Sequence, residues 1–442
     1  MSVSPFDGAL WTGFWGDPEI GPLFTDAAEI EAMLAVEGAL ARVQGALGII
    51  PNASAEAIAA AARTTVIPPA DLAAGVAAAG MPVPALVAAF RRTLPAEHAP
   101  WVHWGATTQD IIDTALVLRL ARVLDLLDAR LARLATTLGD QAARHRDTVI
   151  PARTRGQIAV PTTLGAKIAV WTMPLLRHRT RLAELRPRVL LVSQAGAAGT
   201  DAARDGRGQD VMAALAADLG LAPSPIPWHA ARDGIAELGG WLSLVTGTIG
   251  KIATDLLQLG ASEVGEVTAG AGGRSSTMPN KANPVAADAL VALARFNAQA
   301  LGNLHQAMLV TQERDGAAWG LEWLTLPKMC MAAGAATRHA LALAETMAAH
   351  PDRIAATLAE DRGLMLAEAA VFALAEDMPR PDAQALLYKA VADVRDGAST
   401  LADALSARAP GRDWPTILAP ARATGDAGVL VDHLQTALTI QS

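Results

Sequence analysis

A proline-free stretch from Thr108 to about His145 constrains the fold more than any other feature of the chain. Leucines recur along it in steps of four and three, at positions 116, 120, 124, 127, 131, 134 and 138. This spacing traces one face of a single helix. At ~1.5 Å per residue, a helix of about 38 residues is roughly 57 Å long. Helices of that length are typical of coiled coils, membrane spans and long bundles.

Composition favours the long bundle. Hydrophobic residues make up 52% of the 442 residues, many of them alanine, whereas aromatics make up 4%. Alanine favours helices over strands, so we predict an all-α protein. Uncharged stretches such as Leu238 to Gly250 are too short to cross a bilayer. The net charge of −8, without a run of Lys and Arg, argues against nucleic-acid and membrane partners.

The remaining periodicity predicts further helices and a division into domains. Helices are expected near residues 26–48, 162–186, 233–260 and 284–312, the first of them capped by Asp26. Glycine-rich loops are expected at 195–208 and 265–276. We predict an N-terminal helical domain (1–104), a central long-helix bundle (105–348) and a small C-terminal helical domain (349–442), because prolines interrupt the chain beyond residue 350.

The cysteine and histidine content excludes some kinds of chemistry. The single cysteine, Cys330, lies between Met329 and Met331 and is expected to be a buried structural thiol. One cysteine and nine scattered histidines give no metal-ligand spacing. The first ten residues lack the basic and apolar regions of a signal peptide, so we expect a cytoplasmic protein.

The segment from Gly270 to Val285 has the composition of an anion-binding loop. Glycines are followed by two serines and a threonine, and then by Lys281, Asn283 and Pro284. Asn283 is placed to cap a helix that begins at Pro284, whose free N–H groups and positive dipole end favour an anion. A flexible loop before an ordinary capped helix fits the same residues.

Two other segments carry polar residues in a similar setting. Residues 102–115 open the long helix with Thr107 and Thr108, which can cap the helix or bind a carboxylate. Residues 153–165 read RTRGQIAVPTTLG and precede the next predicted helix.

All three segments resemble the conserved regions of the fumarase/aspartase superfamily. The loop matches the pattern Gly-Ser-Ser-x-Met-Pro-x-Lys-x-Asn-Pro at Ser275, Ser276, Met278, Pro279, Lys281, Asn283 and Pro284, with Arg274 in place of the glycine. Residues 103–110 (HWGATTQD) are most similar to the carboxymuconate cycloisomerases of this superfamily. Residues 153–165 resemble the pattern Arg-Thr-His-x-Gln-x-Ala-x-Pro-x-Thr-x-Gly, but Arg155 replaces the histidine. Weaker matches at 24–51 and 313–327 extend the resemblance over most of the chain.

The resemblance implies a three-domain all-α fold with a central long-helix bundle. It also implies a homotetramer in which each active site draws its three regions from three chains. By its place in the motif Ser275 would be the catalytic base, with Lys281 and Asn283 holding the substrate carboxylate and its developing charge. The implied substrate-binding residues are His103, Thr107, Thr108, Arg155, Gln157, Thr162, Ser276 and Arg314. No metal and no organic cofactor are expected.

Arg155 favours one reaction within the superfamily. An amine leaving group needs a proton, which histidine can supply and arginine, with a pKa above ~12, cannot. A carboxylate of pKa near ~4 leaves as an anion and is helped by a fixed cation. Together with this argument, the resemblance implies a cycloisomerase that closes a small tricarboxylate, 3-carboxy-cis,cis-muconate, to its lactone. Two alternatives stay open: a lyase that cleaves C–N bonds of succinyl-amine substrates, and a non-catalytic structural homologue.

Overall fold

The computed structural model describes residues 4–270, 272–274, 277–278, 281–397 and 400–441. Helices account for 68% of the chain and strands for 5%, which confirms the all-α prediction. The described helices are α1 Thr12–Trp15, α2 Asp26–Ala46, α3 Asn52–Thr64, α4 Pro69–Ala79, α5 Val83–Arg91, α6 Thr108–Arg144, α7 Leu164–Val189, α8 Gly208–Leu219, α9 Asp233–Leu259, α10 Val285–Ala307, α11 Gly316–Thr346, α12 Pro351–Glu360, α13 Ala367–Leu374, α14 Arg380–Arg395, α15 Leu401–Arg408, α16 Trp414–Ile417 and α17 Ala427–Gln441.

Within the described ranges, short strands form three two-stranded antiparallel pairs. The strands are β1 Val149–Thr154, β2 Gln157–Thr163, β3 Val267–Thr268, β4 Gly273–Arg274, β5 Ala282–Asn283 and β6 Ala348–Ala349. β1 pairs with β2, β3 with β6, and β4 with β5. β1 and β2 overlap the 153–165 segment, and β4 and β5 lie within the Gly270–Val285 segment.

The long helix has the predicted length and the predicted buried face. It runs from Thr108 to Arg144. Its seven regularly spaced leucines, from Leu116 to Leu138, are all at most 6% exposed. The apolar stripe is therefore core, and its burial is the main force that keeps so long a helix intact.

Two predicted helix caps, Asp26 and Asn283, were wrong. The hydroxyl of Thr25 accepts the Ala28 N–H at 3.3 Å, so Thr25 caps α2 and Asp26 is its first residue. Asn283 does not cap α10, because it pairs with Gly273 in strand β5 and keeps the backbone extended there. The Asp288 N–H instead bonds the Pro284 carbonyl, and α10 begins at Val285.

Two elements were missing from the sequence interpretation. Helix α11 contains Pro327, and the sequence analysis did not predict a helix there. A proline removes one backbone hydrogen bond and usually breaks a helix. The β1–β2 hairpin was also missed, although it carries three of the predicted site residues.

The chain divides into two compact units. The first contains the residues up to Arg130, His178–Gly247 and Ala292–Arg338, with a core built from α2, α3, α5, α8 and the start of α6. The second contains Leu131–Arg177, Thr248–Val291 and the chain from His339 onward, with a core cluster between Met365 and Leu418. The three-domain division stays a prediction. No helix within the described ranges is long and apolar enough to cross a membrane.

Cys330 lies inside α11 with no exposed surface, as predicted. Burial raises the pKa of its thiol to about 12. A thiol in this state packs like a small apolar side chain and has almost no thiolate.

Candidate active site

The start of α6 is fixed by one buried carboxylate, that of Asp110, which is 1% exposed. It accepts the N–H of Thr107 at 3.0 Å, which closes the first turn as in a capping box. It also accepts the N–H groups of Ala195 and Gly196 at 2.9 and 3.1 Å, and His229 Nε2 lies 2.8 Å away. Asp110 therefore joins the helix start to the 195–208 loop.

Arg314 lies against the same helix start, just before α11. Its Nε donates to Gln109 Oε1 at 3.0 Å, and its Nη2 donates to Thr107 Oγ1 at 3.1 Å and to the Ala197 carbonyl at 3.2 Å. Its Nη1 has no hydrogen-bond partner among the residues that the structure describes. The half-buried guanidinium is thus held along one side while Nη1 stays available.

Beneath Arg314 lies a buried ion cluster. Arg232 is 3% exposed and forms double hydrogen bonds with both Asp113 and Glu322, at 2.5–3.2 Å. Trp319 Nε1 donates to Asp113 at 3.1 Å, as does Gln109 Nε2 at 3.2 Å. Burial opposes the charge on Arg232, but the two carboxylates raise the pKa of its guanidinium above the usual value.

The side chain of Gln109 links this cluster to Arg314. Gln109 donates to Asp113 and to the His229 carbonyl, and accepts from Arg314. All polar groups of its amide are therefore engaged, and their geometry fixes Arg314. Thr108, half-buried on the first turn, makes no hydrogen bond through its hydroxyl to any described residue.

His103 precedes this helix start and pairs with a residue that the sequence analysis did not single out. Its Nδ1 lies 2.6 Å from Oε1 of Glu37, which is 1% exposed. The backbone of His103 is left-handed, with φ 61°, an uncommon conformation for a residue with a Cβ. Burial lowers the pKa of the imidazole, but attraction to Glu37 and their hydrogen bond raise it overall.

Arg155 forms the tip of the β1–β2 hairpin. Thr154 pairs with Gln157, so Arg155 and Gly156 are a two-residue turn. Their φ values are 52° and 82°, as a type I′ hairpin turn requires. Arg155 and Gln157 are exposed, and Thr162 is half-buried opposite Ile150. The guanidinium of Arg155 makes no ion pair within the described parts of the chain.

The base of the hairpin is tied down. Arg153 forms a double ion pair with Glu266, at 2.6 and 2.8 Å, and Glu266 has no exposed surface. The hydroxyl of Thr163 accepts the Ala166 N–H at 3.1 Å at the start of α7. A rigid base therefore presents an exposed, cationic tip.

The third segment is described only in part. Ser275 and Ser276 lie outside the described residues. Lys281 is exposed, and its N–H bonds the Met278 carbonyl at 3.1 Å. Asn283, half-buried in β5, is followed within two residues by the start of α10. A Cβ on Gly272 would lie 2.8 Å from that of Ala282, so the paired strands exclude a side chain there.

The described site residues thus form three local groups. His103, Thr107, Thr108 and Arg314 belong to the first unit, whereas Arg155, Gln157 and Thr162 on the hairpin and Lys281 with Asn283 on β5 belong to the second. The sequence analysis missed Glu37, Asp110 and Arg232. Asp110 ends the HWGATTQD match, so the motif itself could have singled it out, whereas Glu37 and Arg232 show only a charged residue of the kind that a surface position also shows.

Comparison with known proteins assigns the family. A family model described as lyase matches residues 23–299, and the chain belongs to this lyase family. The 3-carboxy-cis,cis-muconate cycloisomerase of Pseudomonas aeruginosa is 40% identical over 423 residues, which cover 93% of this chain and 92% of that protein. A nitrosuccinate lyase of Streptomyces davaonensis is 37% identical over 92% of this chain and 90% of its own length.

The fold agrees with these sequence relationships. The crystal structure of 3-carboxy-cis,cis-muconate lactonizing enzyme from Pseudomonas putida matches with a TM-score of 0.93 and 36% identity, and the match covers 98% of this chain and 99% of that one. The predicted fumarase/aspartase-type fold is confirmed.

Proposed function

We propose that this chain is a cycloisomerase that converts 3-carboxy-cis,cis-muconate to carboxymuconolactone, in the protocatechuate branch of aromatic degradation. The observation that favours this reaction over amine elimination is Arg155, a cation that cannot donate a proton, at the hairpin position where most superfamily lyases have histidine. The 40% identity to a cycloisomerase over 93% of the chain supports the same reaction.

The reaction is an intramolecular addition that takes up one proton. A carboxylate oxygen of the trianion attacks an alkene carbon and forms the C–O bond of the lactone. The electron pair of the double bond moves to the neighbouring carbon, where a carboxylate stabilises it as an aci-carboxylate. The Ser275 hydroxyl then protonates that carbon and is reprotonated from solvent. The product has two free carboxylates.

The cations of the three groups suit a trianionic substrate. In this proposal Arg155 binds the carboxylate that closes the ring. Arg314 offers its available Nη1 to a second carboxylate, and Lys281, with Asn283, holds the charge of the aci-carboxylate. Thr107, Thr108, Gln157, Thr162 and Ser276 supply neutral hydrogen bonds. No metal or organic cofactor is needed for these steps.

We further propose a cytoplasmic homotetramer in which each active site combines the three groups from different chains. Large apolar side chains are exposed within long helices, including Leu244 (52%), Val170 (58%) and Leu324 (66%). Contact with other copies would bury them.

Light scattering tests the assembly. Mixing Arg155→Leu and Ser275→Ala subunits tests the sharing, because some mixed sites would have neither substitution and regain activity.

A second candidate is elimination of nitrite from nitrosuccinate. The 37% identity to a nitrosuccinate lyase favours it, and nitrite, like a carboxylate, leaves as the anion of an acid. Arg155 is compatible with both reactions. The succinyl-amine reaction requires a proton donor in place of Arg155 and ranks below both.

The proton balance separates the two candidates. Lactonisation of the muconate consumes one proton and removes the conjugated diene, so ultraviolet absorbance falls as the pH of a weakly buffered solution rises. Nitrite elimination releases a proton and forms a new carbon–carbon double bond. Assays with both substrates, each with Ser275→Ala as control, give opposite pH changes. Failure of both in a folded, ligand-binding protein would leave the structural homologue.

A further inference from the structure

Two buried polar side chains share one face of helix α2. Glu37 and Gln44 are each 1% exposed. Seven residues, or about two helical turns, separate them, so both point to the same side. Gln44 Nε2 donates to the Trp104 carbonyl at 2.8 Å, and Glu37 contacts His103. Helix α2 therefore holds two consecutive residues, His103 and Trp104, through side-chain contacts.

The contacts from α2 hold a segment whose backbone is strained at His103. His103 has φ 61° and is followed within two residues by Gly105, with φ 67°. A non-glycine residue in this conformation persists only when its surroundings hold it there. The contact with Glu37 also makes Nδ1 the donor nitrogen of the ring. Nε2 makes no hydrogen bond within the described ranges and is the nitrogen left for a ligand.

The charge on Glu37 has little other compensation. Its second oxygen, Oε2, is buried without a hydrogen-bond partner among the described residues. A buried carboxylate with one partner is strongly disfavoured unless that partner is a cation. The charged groups that act most strongly on His103 are Glu37 from α2, Asp110 from α6 and Arg91 from α5. Arg204 also lies close, since its Nη2 donates to the Trp104 carbonyl at 3.2 Å. The two carboxylates favour the imidazolium, and Arg91 opposes it.

We propose that Glu37 is a positioning residue that keeps His103 positively charged, so that Nε2–H binds an anion and does not exchange protons with the substrate. The identity of the anion, a carboxylate of the muconate, rests on the function proposed above. The charge state of His103 does not depend on it.

If Glu37 keeps His103 charged, pH affects substrate binding through His103. Because contact with Glu37 raises the pKa of His103, its imidazolium persists to a higher pH than that of an ordinary histidine and contributes to substrate binding there. Without Glu37, His103 would lose its charge near neutral pH, as an ordinary histidine does. The loss would raise KM at high pH and leave kcat unchanged, because His103 transfers no proton.

The first test uses NMR without substrate. Histidines labelled with ¹³C at Cε1 are titrated, and His103→Gln identifies the resonance of His103. In the unsubstituted protein His103 should titrate above a free histidine. Glu37→Gln should lower that pKa, and Glu31→Gln, an exposed acid on the same helix, should not. A normal or lowered pKa for His103 in the unsubstituted protein overturns the proposal, whether or not the variant folds.

The second test uses kinetics. With 3-carboxy-cis,cis-muconate, Glu37→Gln should raise KM about tenfold at pH 8, the effect of one charge-assisted hydrogen bond, and only slightly at pH 6. A fall in kcat at both pH values would assign Glu37 a structural role and overturn the proposal. If the muconate is not turned over, the proposed function fails, and binding of tricarballylate at pH 6 and 8 replaces KM.

Discussion

The start of α6 and the tip of the hairpin present their cations in opposite ways. Arg314 is held by three hydrogen bonds above a buried ion cluster. Arg155 is exposed on a two-residue turn, where its backbone is left-handed and its charge has no partner within the described chain. The first region fixes a cation through its side chain, and the second fixes one only through the backbone.

The difference indicates where each region is sensitive. A buried, fully hydrogen-bonded network loses much of its stability when one member is removed, because the remaining charges stay desolvated. An exposed tip can lose its side chain with little effect on folding. Substitutions at the helix start should therefore act first on stability, and substitutions at the tip on activity.

Arg232→Met should have the largest effect on stability. It leaves Asp113 and Glu322 buried without their cation, and the free energy of unfolding should fall by about 3–5 kcal/mol. Urea denaturation followed by circular dichroism measures the change. Arg188→Met, which breaks an exposed ion pair with Glu237, is the matched control and should hardly move the midpoint. Equal effects of the two substitutions would contradict the contrast between buried and exposed regions.

Arg155→Leu should have the opposite result, a large loss of activity with little change in stability. Leucine meets the same backbone constraint as arginine, so stability should change little, whereas kcat/KM should fall about 10²–10³-fold through loss of a preorganised charge. Arg155→Gly should lose the same activity and gain about 1 kcal/mol of stability, since glycine adopts a positive φ without strain. Muconate kinetics and thermal melting measure both. Unchanged kinetics in Arg155→Leu would remove Arg155 from the site.

Gln109→Leu should lower both stability and substrate affinity. It removes the link between Arg314 and Asp113, which should cost about 1–3 kcal/mol of stability. KM should also rise severalfold because Arg314 loses its fixed orientation. Denaturation and kinetics on one preparation give both values. A loss of stability with unchanged KM would show that Arg314 does not depend on the network.

The smallest effect should be a pH dependence of stability. The pKa of His103 is raised in the folded protein, so its pairing with Glu37 stabilises the fold fully below the pKa of an unfolded histidine. That contribution is lost as pH rises through the folded pKa. The melting temperature should therefore fall between pH 6 and 9 more in the unsubstituted protein than in Glu37→Gln. Parallel curves would contradict this pairing.

The regular part of the fold could be predicted from the sequence, because leucine spacing and proline positions act locally. The bounds of α6 were right to one residue. Elements that depend on distant packing were missed, such as α11, where burial of an alanine-rich helix tolerates Pro327. The hairpin was also missed, because Arg155-Gly156 is a weaker turn pattern than Asn-Gly or Asp-Gly.

The order of residues in the three motifs was enough to identify the candidate site residues. The buried residues that hold them in place were found only in the structure. Nothing in the spacing of Glu37 and His103, 66 residues apart, predicts a contact between them. The same holds for Arg232 with Asp113 and Glu322. Such pairs are fixed by the three-dimensional arrangement of helices, which one sequence does not reveal. The roles assigned to Ser275 and Ser276 stay predictions.

The turn at Arg155 also gives the hairpin a natural cleavage point. Trypsin cuts after arginine, and an exposed turn tip is the kind of backbone that proteases reach first. Cleavage between Arg155 and Gly156 would yield two fragments that gel electrophoresis separates easily. If other copies of the chain or a bound tricarboxylate cover the tip, cleavage after Arg155 would slow in proportion to the fraction of hairpins that are covered. Brief proteolysis would thus report occupancy of the hairpin without a catalytic assay.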